Sequence, residues 1–187
     1  MRSKIFSWML VLIVALGYSC GNSSKENVSE NRKKKNIIKQ KSDGTISLTL
    51  DKADCYSDMG NPFSNTAEWN VVVFKSGRYN VWLSSATRDT TSLNYKNSVL
   101  VSVQDSRVEA TPACDKIVLN SSDCNYPYFR ADSFLGSMYI QDTGQFNIQV
   151  ISEKILPKDY KNNAEASEAD LSKLISVSFT PVTPVYR

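Results

Sequence analysis

Apolar and polar side chains alternate in short runs along most of the chain after residue 45. The first such run is Ile46 to Leu50, in which every second residue is apolar. A period of two indicates a β-strand with one buried face, and a short continuous apolar run is typical of a strand buried on both faces. Runs of these two kinds lie at 71–74, 79–84, 99–104, 116–119, 134–140, 146–151 and 175–180. The pattern therefore predicts about eight strands.

Turn residues separate these runs, as at Lys75–Gly77 and Asp142–Gly144. Only the segment 164–173 has a helical pattern, with Asn163 or Ser167 available as its cap. Strands that follow one another without helices between them are typical of antiparallel sheets. We therefore predict an all-β fold, an antiparallel β-sandwich of the jelly-roll type, with at most one short helix near 164–173.

The N-terminal segment 1–19 has the organisation of an export signal. Two basic residues precede an apolar run over 5–16, which is shorter than the roughly 20 residues of a membrane-spanning helix. The segment resembles the signal peptides of bacterial lipoproteins, although Gly17 and Tyr18 stand where the usual motif has Leu and a small residue. The resemblance implies that Cys20 carries lipid and anchors an exported protein to the outer membrane or cell surface. The alternative is an ordinary cleaved signal that happens to end near a cysteine.

The segment 20–43 predicts a disordered basic tether. Gly21 to Asp43 carries seven Lys and Arg residues against three acidic ones, with few apolar side chains to offset the entropy of ordering. Its basic run 32–35 suits contact with anionic lipid head groups, but a solvated spacer is the favoured interpretation. The remaining residues, 44–187, form one predicted domain with a net charge of −3. That charge gives no indication of a nucleic-acid surface.

The chain contains no histidine. This excludes Ser–His and Cys–His nucleophile pairs and removes the usual proton shuttle near neutral pH. A hydrolase that uses two carboxylates stays open, but no pair of acidic residues stands out in the sequence. We therefore expect a protein that is not an enzyme.

Three cysteines follow Cys20, namely Cys55, Cys114 and Cys124. Export permits disulfides, and a bridge between Cys114 and Cys124 would close a loop of hairpin size. Pairing of either residue with Cys55 is the alternative, since connectivity does not follow from sequence. Three cysteines without histidine make a poor zinc site.

Aromatic residues are the strongest indication of a binding site. Tyr79 lies on the apolar side of its strand, whereas Trp82 lies on the opposite side with Asn80 and Ser84. An outward Trp among polar neighbours suits stacking on a sugar ring, and packing beneath a loop is the alternative. Further candidates for ligand binding lie in predicted loops or near strand ends, each with a structural role as its alternative: Trp69, Tyr95, Tyr126, Tyr128 and Arg130.

The order of the strand motifs resembles the galactose-binding-like β-sandwich domains that accompany glycoside hydrolases. The resemblance covers about 46–181 and rests on Gly77-Arg78-Tyr79-Asn80-Val81-Trp82-Leu83, on Phe134 to Ile140, on Thr143 to Val150 and on Leu174 to Pro181. It implies ligand binding between aromatic side chains at one end of the sandwich, and a structural calcium held by loop carboxylates. The available loop acids are Asp51, Asp54, Asp58 and Asp142. The Glu-rich first strand of the carbohydrate-binding relatives is missing.

Together these features predict a non-catalytic, membrane-anchored lipoprotein whose β-sandwich recognises a glycan. The alternative is a structural or assembly lipoprotein whose sandwich docks a protein partner. A small carboxylate-dependent hydrolase is the third hypothesis.

Overall fold

The computed structural model describes residues 36–58, 60–155 and 172–183. The predicted signal segment, Cys20 and the first part of the tether lie outside these ranges, as do residues 164–171 of the predicted helix. Ser172 and Lys173, the last two residues of that prediction, belong to a strand. In the described part of the chain no helix is long or apolar enough to cross a membrane.

The described residues form strands joined by loops and two short 3-10 turns, at Leu50–Lys52 and Pro62–Ser64. In chain order the strands are β1 (Ile38–Lys39), β2 (Ile46–Thr49), β3 (Asp54–Tyr56), β4 (Thr66–Val73), β5 (Gly77–Thr87), β6 (Val99–Val103), β7 (Ser106–Ala110), β8 (Lys116–Val118), β9 (Phe129–Ile140), β10 (Gly144–Ile151) and β11 (Ser172–Pro181).

Two sheets pack face to face. The first sheet has the order β1-β4-β10-β6-β7, with β3 also paired to β4, and the second sheet has the order β2-β11-β5-β9-β8. Every pairing is antiparallel except that of β1 with β4, which is parallel. The all-β class and the β-sandwich predicted from the sequence are therefore confirmed.

The core lies between the two inner faces and follows the predicted alternation. On β5, Tyr79, Val81 and Leu83 are buried, whereas Trp82 faces the other way. Burying one such side chain stabilises the fold by about 1.5–3 kcal/mol. The predicted core position of Tyr79 is thus confirmed.

The strand predicted at 71–74 as a continuous buried run begins at Thr66 instead and alternates throughout. Its inward side chains are Ala67, Trp69, Val71 and Val73, all buried. The indole N–H of Trp69 donates a hydrogen bond of 2.9 Å to the carbonyl of Thr49, which satisfies its one polar group inside the core. Trp69 is therefore a core residue in mid-strand, and its prediction as a ligand-binding residue near a strand end is wrong.

Two bulges change the alternation that the sequence suggests. The pairing of β11 with β5 shifts between Leu174 and Ser176, so Leu174 and Val177 are both buried while Ile175 is half-buried. The pairing of β5 with β9 shifts between Val81 and Trp82. An inserted residue of this kind changes the face on which the following side chains lie.

Residues 36–43, which the sequence assigns to the tether, belong partly to the fold. Ile38 and Lys39 pair with Val71 and Val72 of β4. Gln40 is buried, and its side chain makes five hydrogen bonds, the four shortest of which are described below. The predicted boundary at residue 44 is therefore wrong, because a locally polar composition conceals a strand that forms by pairing with β4.

Candidate functional site

An aromatic pair, Trp82 and Phe134, lies on the outer face of the second sheet. The two residues are direct cross-strand partners on β5 and β9. Their ring centroids are 5.2 Å apart and their planes are inclined by 50°. Trp82 is half-buried and Phe134 is 43% exposed, so each ring keeps surface in contact with solvent. Cross-strand aromatic pairs also stabilise the sheet, but that role does not require the exposed surface.

Amide and hydroxyl groups flank the aromatic pair on one side. Asn80 lies two residues before Trp82 on the same face, and its side-chain oxygen accepts a hydrogen bond of 2.6 Å from Ser137. The Thr180 hydroxyl lies beside them and donates to the Asn80 carbonyl at 3.4 Å. Each of these groups has further hydrogen-bonding capacity for a ligand.

An arginine–carboxylate network flanks the aromatic pair on the other side. Ser84 donates a hydrogen bond of 2.7 Å to Oδ1 of Asp132, its cross-strand partner. The Arg130 guanidinium donates from Nη2 to Oδ2 of Asp132 at 3.2 Å and from Nη1 to Oδ2 of Asp123 at 2.6 Å. Its Nε lies 3.0 Å from Oδ1 of Asp132, within ion-pair distance, but its N–H makes no hydrogen bond there.

The contact between Arg130 and Asp123 favours the charged form of both side chains. The hydrogen bond from Arg130 holds the pKa of Asp123 below its ordinary value, and the same contact raises the pKa of Arg130. Asp123 is therefore ionised at neutral pH and Arg130 is cationic. The hydrogen bonds of Arg130 to Asp123 and Asp132 hold these donor and acceptor groups in place beside the aromatic pair.

Serine side chains extend the outer face away from the aromatic pair. Ser178 of β11 is the cross-strand partner of Trp82, and Ser176 is that of Ser84. Both serines are half-buried on the same outer face. Exposed rings bordered by amide, hydroxyl and guanidinium groups suit a neutral polyol ring, which offers an apolar face and hydroxyl edges.

The aromatic loop residues predicted to bind ligand do not join this pair. The Tyr95 hydroxyl lies 3.0 Å from the hydroxyl of Ser85, an inward-facing residue, and the Lys154 ammonium lies 5.8 Å from the centre of its ring. Tyr95 packs against the core, so its position supports a structural role.

Tyr126 and Tyr128 lie in the loop before β9 and behave differently from each other. Tyr126 is 98% exposed. The Tyr128 ring has Arg88 at 4.6 Å and Lys173 at 5.6 Å from its centre, as in cation–π contacts. These cations occupy ring surface that stacking on a ligand would need. Of the six predicted ligand residues, Trp82 and Arg130 lie on strands of the outer face described above.

Phe134 is the residue that sequence reasoning missed. The sequence starts a strand at Phe134, whereas β9 begins five residues earlier, at Phe129. Phe134 faces outward because Arg130, Asp132 and Phe134 alternate with buried residues along β9. This alternation is the sequence pattern from which its position could have been predicted. Its partnership with Trp82 depends on the pairing of β5 with β9, strands separated by three others in the chain.

The predicted disulfide between Cys114 and Cys124 is not formed. Both residues are thiols, and burial raises the pKa of each. The segment between them is not a simple loop, because β8 occupies its first half: Cys114 precedes β8, while Cys124 follows its other end. The Cys124 thiol instead donates to the carbonyl of Tyr128 at 3.7 Å.

The four aspartates proposed as calcium ligands do not come together. Asp54 pairs with Glu68 near the start of β4, whereas Asp142 precedes β10, which begins opposite Val73 at the other end of that strand. Asp58 uses Oδ1 to accept hydrogen bonds from the backbone of Gly60 and Asn61. Asp51 lies exposed in a 3-10 turn. In the described ranges, no three Cys, Asp or Glu side chains form a group that could hold a metal ion.

No known protein-family model matches the chain, and no curated protein matches its sequence. The fold is similar to part of an α-L-fucosidase from Vibrio sp. strain EJY3, with a TM-score of 0.60 and 20% identity over 78% of this chain and 24% of that chain. A GH26-CBM35 β-(1,4)-mannanase from Podospora anserina superposes with a TM-score of 0.43 and 14% identity, over 76% of this chain and 28% of that one. The chain thus spans about a quarter of the length of these proteins. The similarity to the fucosidase concerns the fold alone, and the TM-score of the mannanase is too low to support a conclusion.

Proposed function

We propose that this protein is a non-catalytic glycan-binding module and that the aromatic pair is its stacking surface. The observation that carries the proposal is the pairing of Trp82 with Phe134 on an outward sheet face, with exposed ring surface on each. A pyranose ring has an apolar face that can cover an indole, and its equatorial hydroxyls then reach polar groups at the edge of the ring.

The groups needed at that edge are present on both sides. Asn80 and Ser137 flank the pair on one side, and the Arg130–Asp132 network flanks it on the other. The two ring planes are inclined by 50°, so one sugar cannot lie flat on both rings. We assign stacking to Trp82, the larger ring, and edge contact to Phe134.

The predicted export signal and Cys20 suggest where in the cell this module acts. The proposal includes attachment to the outer membrane or cell surface through lipid on Cys20, since multiple acyl chains anchor a protein durably. The anchored chain would hold a bound glycan close to the membrane in which its lipid is inserted.

The test is binding of the full chain, in non-ionic detergent, to an array of immobilised polysaccharides, followed by calorimetry on each positive. We expect Trp82→Ala to weaken binding at least tenfold, which corresponds to about 1.4 kcal/mol. Trp82→Phe should restore part of the affinity because it keeps a ring at the site. Thermal unfolding of each variant separates loss of the site from loss of the fold.

The matched control is Phe63→Ala. Phe63 is 51% exposed in the 3-10 turn Pro62–Ser64, away from the second sheet. We expect it to bind like the wild type. Absence of binding to every glycan, or an equal loss in Phe63→Ala and Trp82→Ala, would contradict the proposal. Trp82-dependent capture of a protein partner without glycan binding would instead support the docking alternative.

A further inference from the structure

A groove lined by lysines lies beside the outer face of the second sheet. It has a volume of about 480 Å³ and runs between the segment that contains β1 and the outward side of β2. Lys39, Lys41 and Lys52 line it together with Ser47 and Thr49, and none of its lining residues is acidic. This concentration of positive charge contrasts with the net negative charge of residues 44–187.

Two of these lysines make no ion pair within the part of the chain that the structure describes. The hydrogen bond from the Thr45 backbone lowers the pKa of Asp43, and nearby Lys41 adds to that shift, so the charge of Lys41 is partly balanced. Lys39 and Lys52 are exposed, and neither forms an ion pair with a described residue. Their ammonium groups are available to an anion in the groove.

The groove and the aromatic pair share one cross-strand row. Ser47 of the groove is the partner of Ser178, and Ser178 is the partner of Trp82. Adjacent strands are about 4.8 Å apart, so two intervals place the Ser47 backbone about 10 Å from that of Trp82. A second row runs parallel to it, from Thr49 through Ser176 and Ser84 to Asp132. Hydroxyl groups therefore lie between the lysines and the aromatic pair. The first row contains no acidic side chain, and the second contains one only at its far end, Asp132.

We propose that the lysine groove and the aromatic pair form one continuous binding surface for an acidic glycan, a polysaccharide with carboxylate or sulfate groups. This inference rests on the proposed function and specifies its ligand class. One sugar stacks on Trp82, and an acidic group further along the same chain enters the groove between Lys39 and Lys52. At the opposite end, Asp123 and Asp132 are already paired with Arg130, so the charge preference arises at the lysine end.

The test compares two matched pairs of polysaccharides on the full chain in detergent. Polygalacturonate is compared with its methyl ester, and dextran sulfate with dextran. We expect the wild type to bind at least one acidic form about tenfold more tightly than its neutral counterpart. Added salt should reduce that preference, because exposed charges are screened beyond about 10 Å at 0.1 M ionic strength.

The decisive variant is Lys39→Gln/Lys52→Gln, and its charge-matched control is Lys96→Gln/Arg107→Gln. Lys96 and Arg107 are exposed residues outside the groove. We expect the first variant to lose the preference for acidic forms and the control to keep it. Trp82→Ala should weaken binding of the acidic and the neutral form alike.

Each other outcome has a definite meaning. Trp82-dependent binding without any acidic preference would overturn this inference and leave the proposed function standing. Lysine-dependent binding of the acidic forms that is unaffected by Trp82→Ala would overturn both. If vesicles of anionic phospholipid bind the wild type but not Lys39→Gln/Lys52→Gln, while glycan binding is equal in the two, the groove contacts lipid and the inference is wrong.

Discussion

Gln40 shows how one side chain can join a segment to a fold. It is 5% exposed, and its amide uses both its donor and its acceptor groups. Nε2 donates to the Gly44 carbonyl and to the Tyr79 hydroxyl, each at 2.7 Å. Oε1 accepts from the backbone N–H groups of Phe74 and Lys75, each at 2.8 Å. The residue therefore connects the segment after β1 to the turn between β4 and β5.

We predict that Gln40→Ala lowers the free energy of unfolding by about 3 kcal/mol, because it leaves several partly buried backbone and hydroxyl groups without partners. Urea denaturation followed by Trp fluorescence measures the change. Gln145→Ala, at an exposed position on β10, is the control and should change stability by no more than about 0.5 kcal/mol. Equal stability of the two variants would contradict the bonding assigned to Gln40.

Asp123 gives a prediction about pH. Its pKa is lowered in the folded chain by hydrogen bonding to Arg130, so ionised Asp123 stabilises the fold above the pKa of the unfolded chain. That contribution is lost as the pH falls through the lowered folded value. Because the pair is partly exposed, we expect Asp123→Asn to cost about 0.5–1 kcal/mol at pH 7.

The difference between wild type and Asp123→Asn should therefore shrink as the pH falls below about 4. Chemical denaturation at a series of pH values measures it. Gln145→Ala, which removes no ionisable group, is the control and should show no such trend. A difference that grows on acidification would refute the assigned role.

Among the strands, the bulge in β9 depends on a glycine. Gly136 has φ of +137°, a conformation that L side chains rarely adopt. A Cβ on this residue would lie 2.7 Å from Cγ2 of Val108, on β7 of the other sheet. Ser106 of β7 also donates to the carbonyl of Tyr139 at 2.5 Å. β7 therefore packs closely against β9 and connects the two sheets along this edge.

Gly77 allows backbone strain at positive φ to be separated from the clash of an added Cβ. It has φ of +143°, but no atom lies within 4 Å of the added Cβ. We predict that Gly77→Ala costs about 1–2 kcal/mol of backbone strain alone. Gly136→Ala should cost at least about 1 kcal/mol more, owing to overpacking against Val108. Thermal and urea unfolding of both variants, and of Gly136→Ala/Val108→Ala, measure this. Equal costs for the two glycines would show that Val108 yields without penalty.

At the scale of the whole molecule, the sequence predicted what depends on local periodicity. The opposite faces of Tyr79 and Trp82 follow from a period of two, which holds wherever a strand has one buried side. The sandwich class follows because no helical pattern separates the strands. These features need no knowledge of which strands are neighbours.

What the sequence could not predict depends on pairing between distant segments. Ile38 lies in a basic, polar stretch, and only Val71 of β4 makes it part of a strand. Phe134 becomes the partner of Trp82 through a register that includes a bulge. The cysteines were paired by their spacing in the chain, although the run at 116–119 already predicted the strand, β8, that lies between them.

The entry of the chain through β1 has a mechanical consequence. If lipid on Cys20 holds the N-terminal side of the chain, a pull on a bound ligand creates tension along the chain, and β1 is the first described strand that bears it. β1 contributes only two residues in register with β4, so the side-chain bonds of Gln40 add to the few backbone bonds that resist that tension. Its bonds reach the turn where β4 ends and β5 begins, and they transfer force to two long central strands. If Cys20 is anchored, Gln40 is therefore one of the residues that join the N-terminal segment to the sandwich under load.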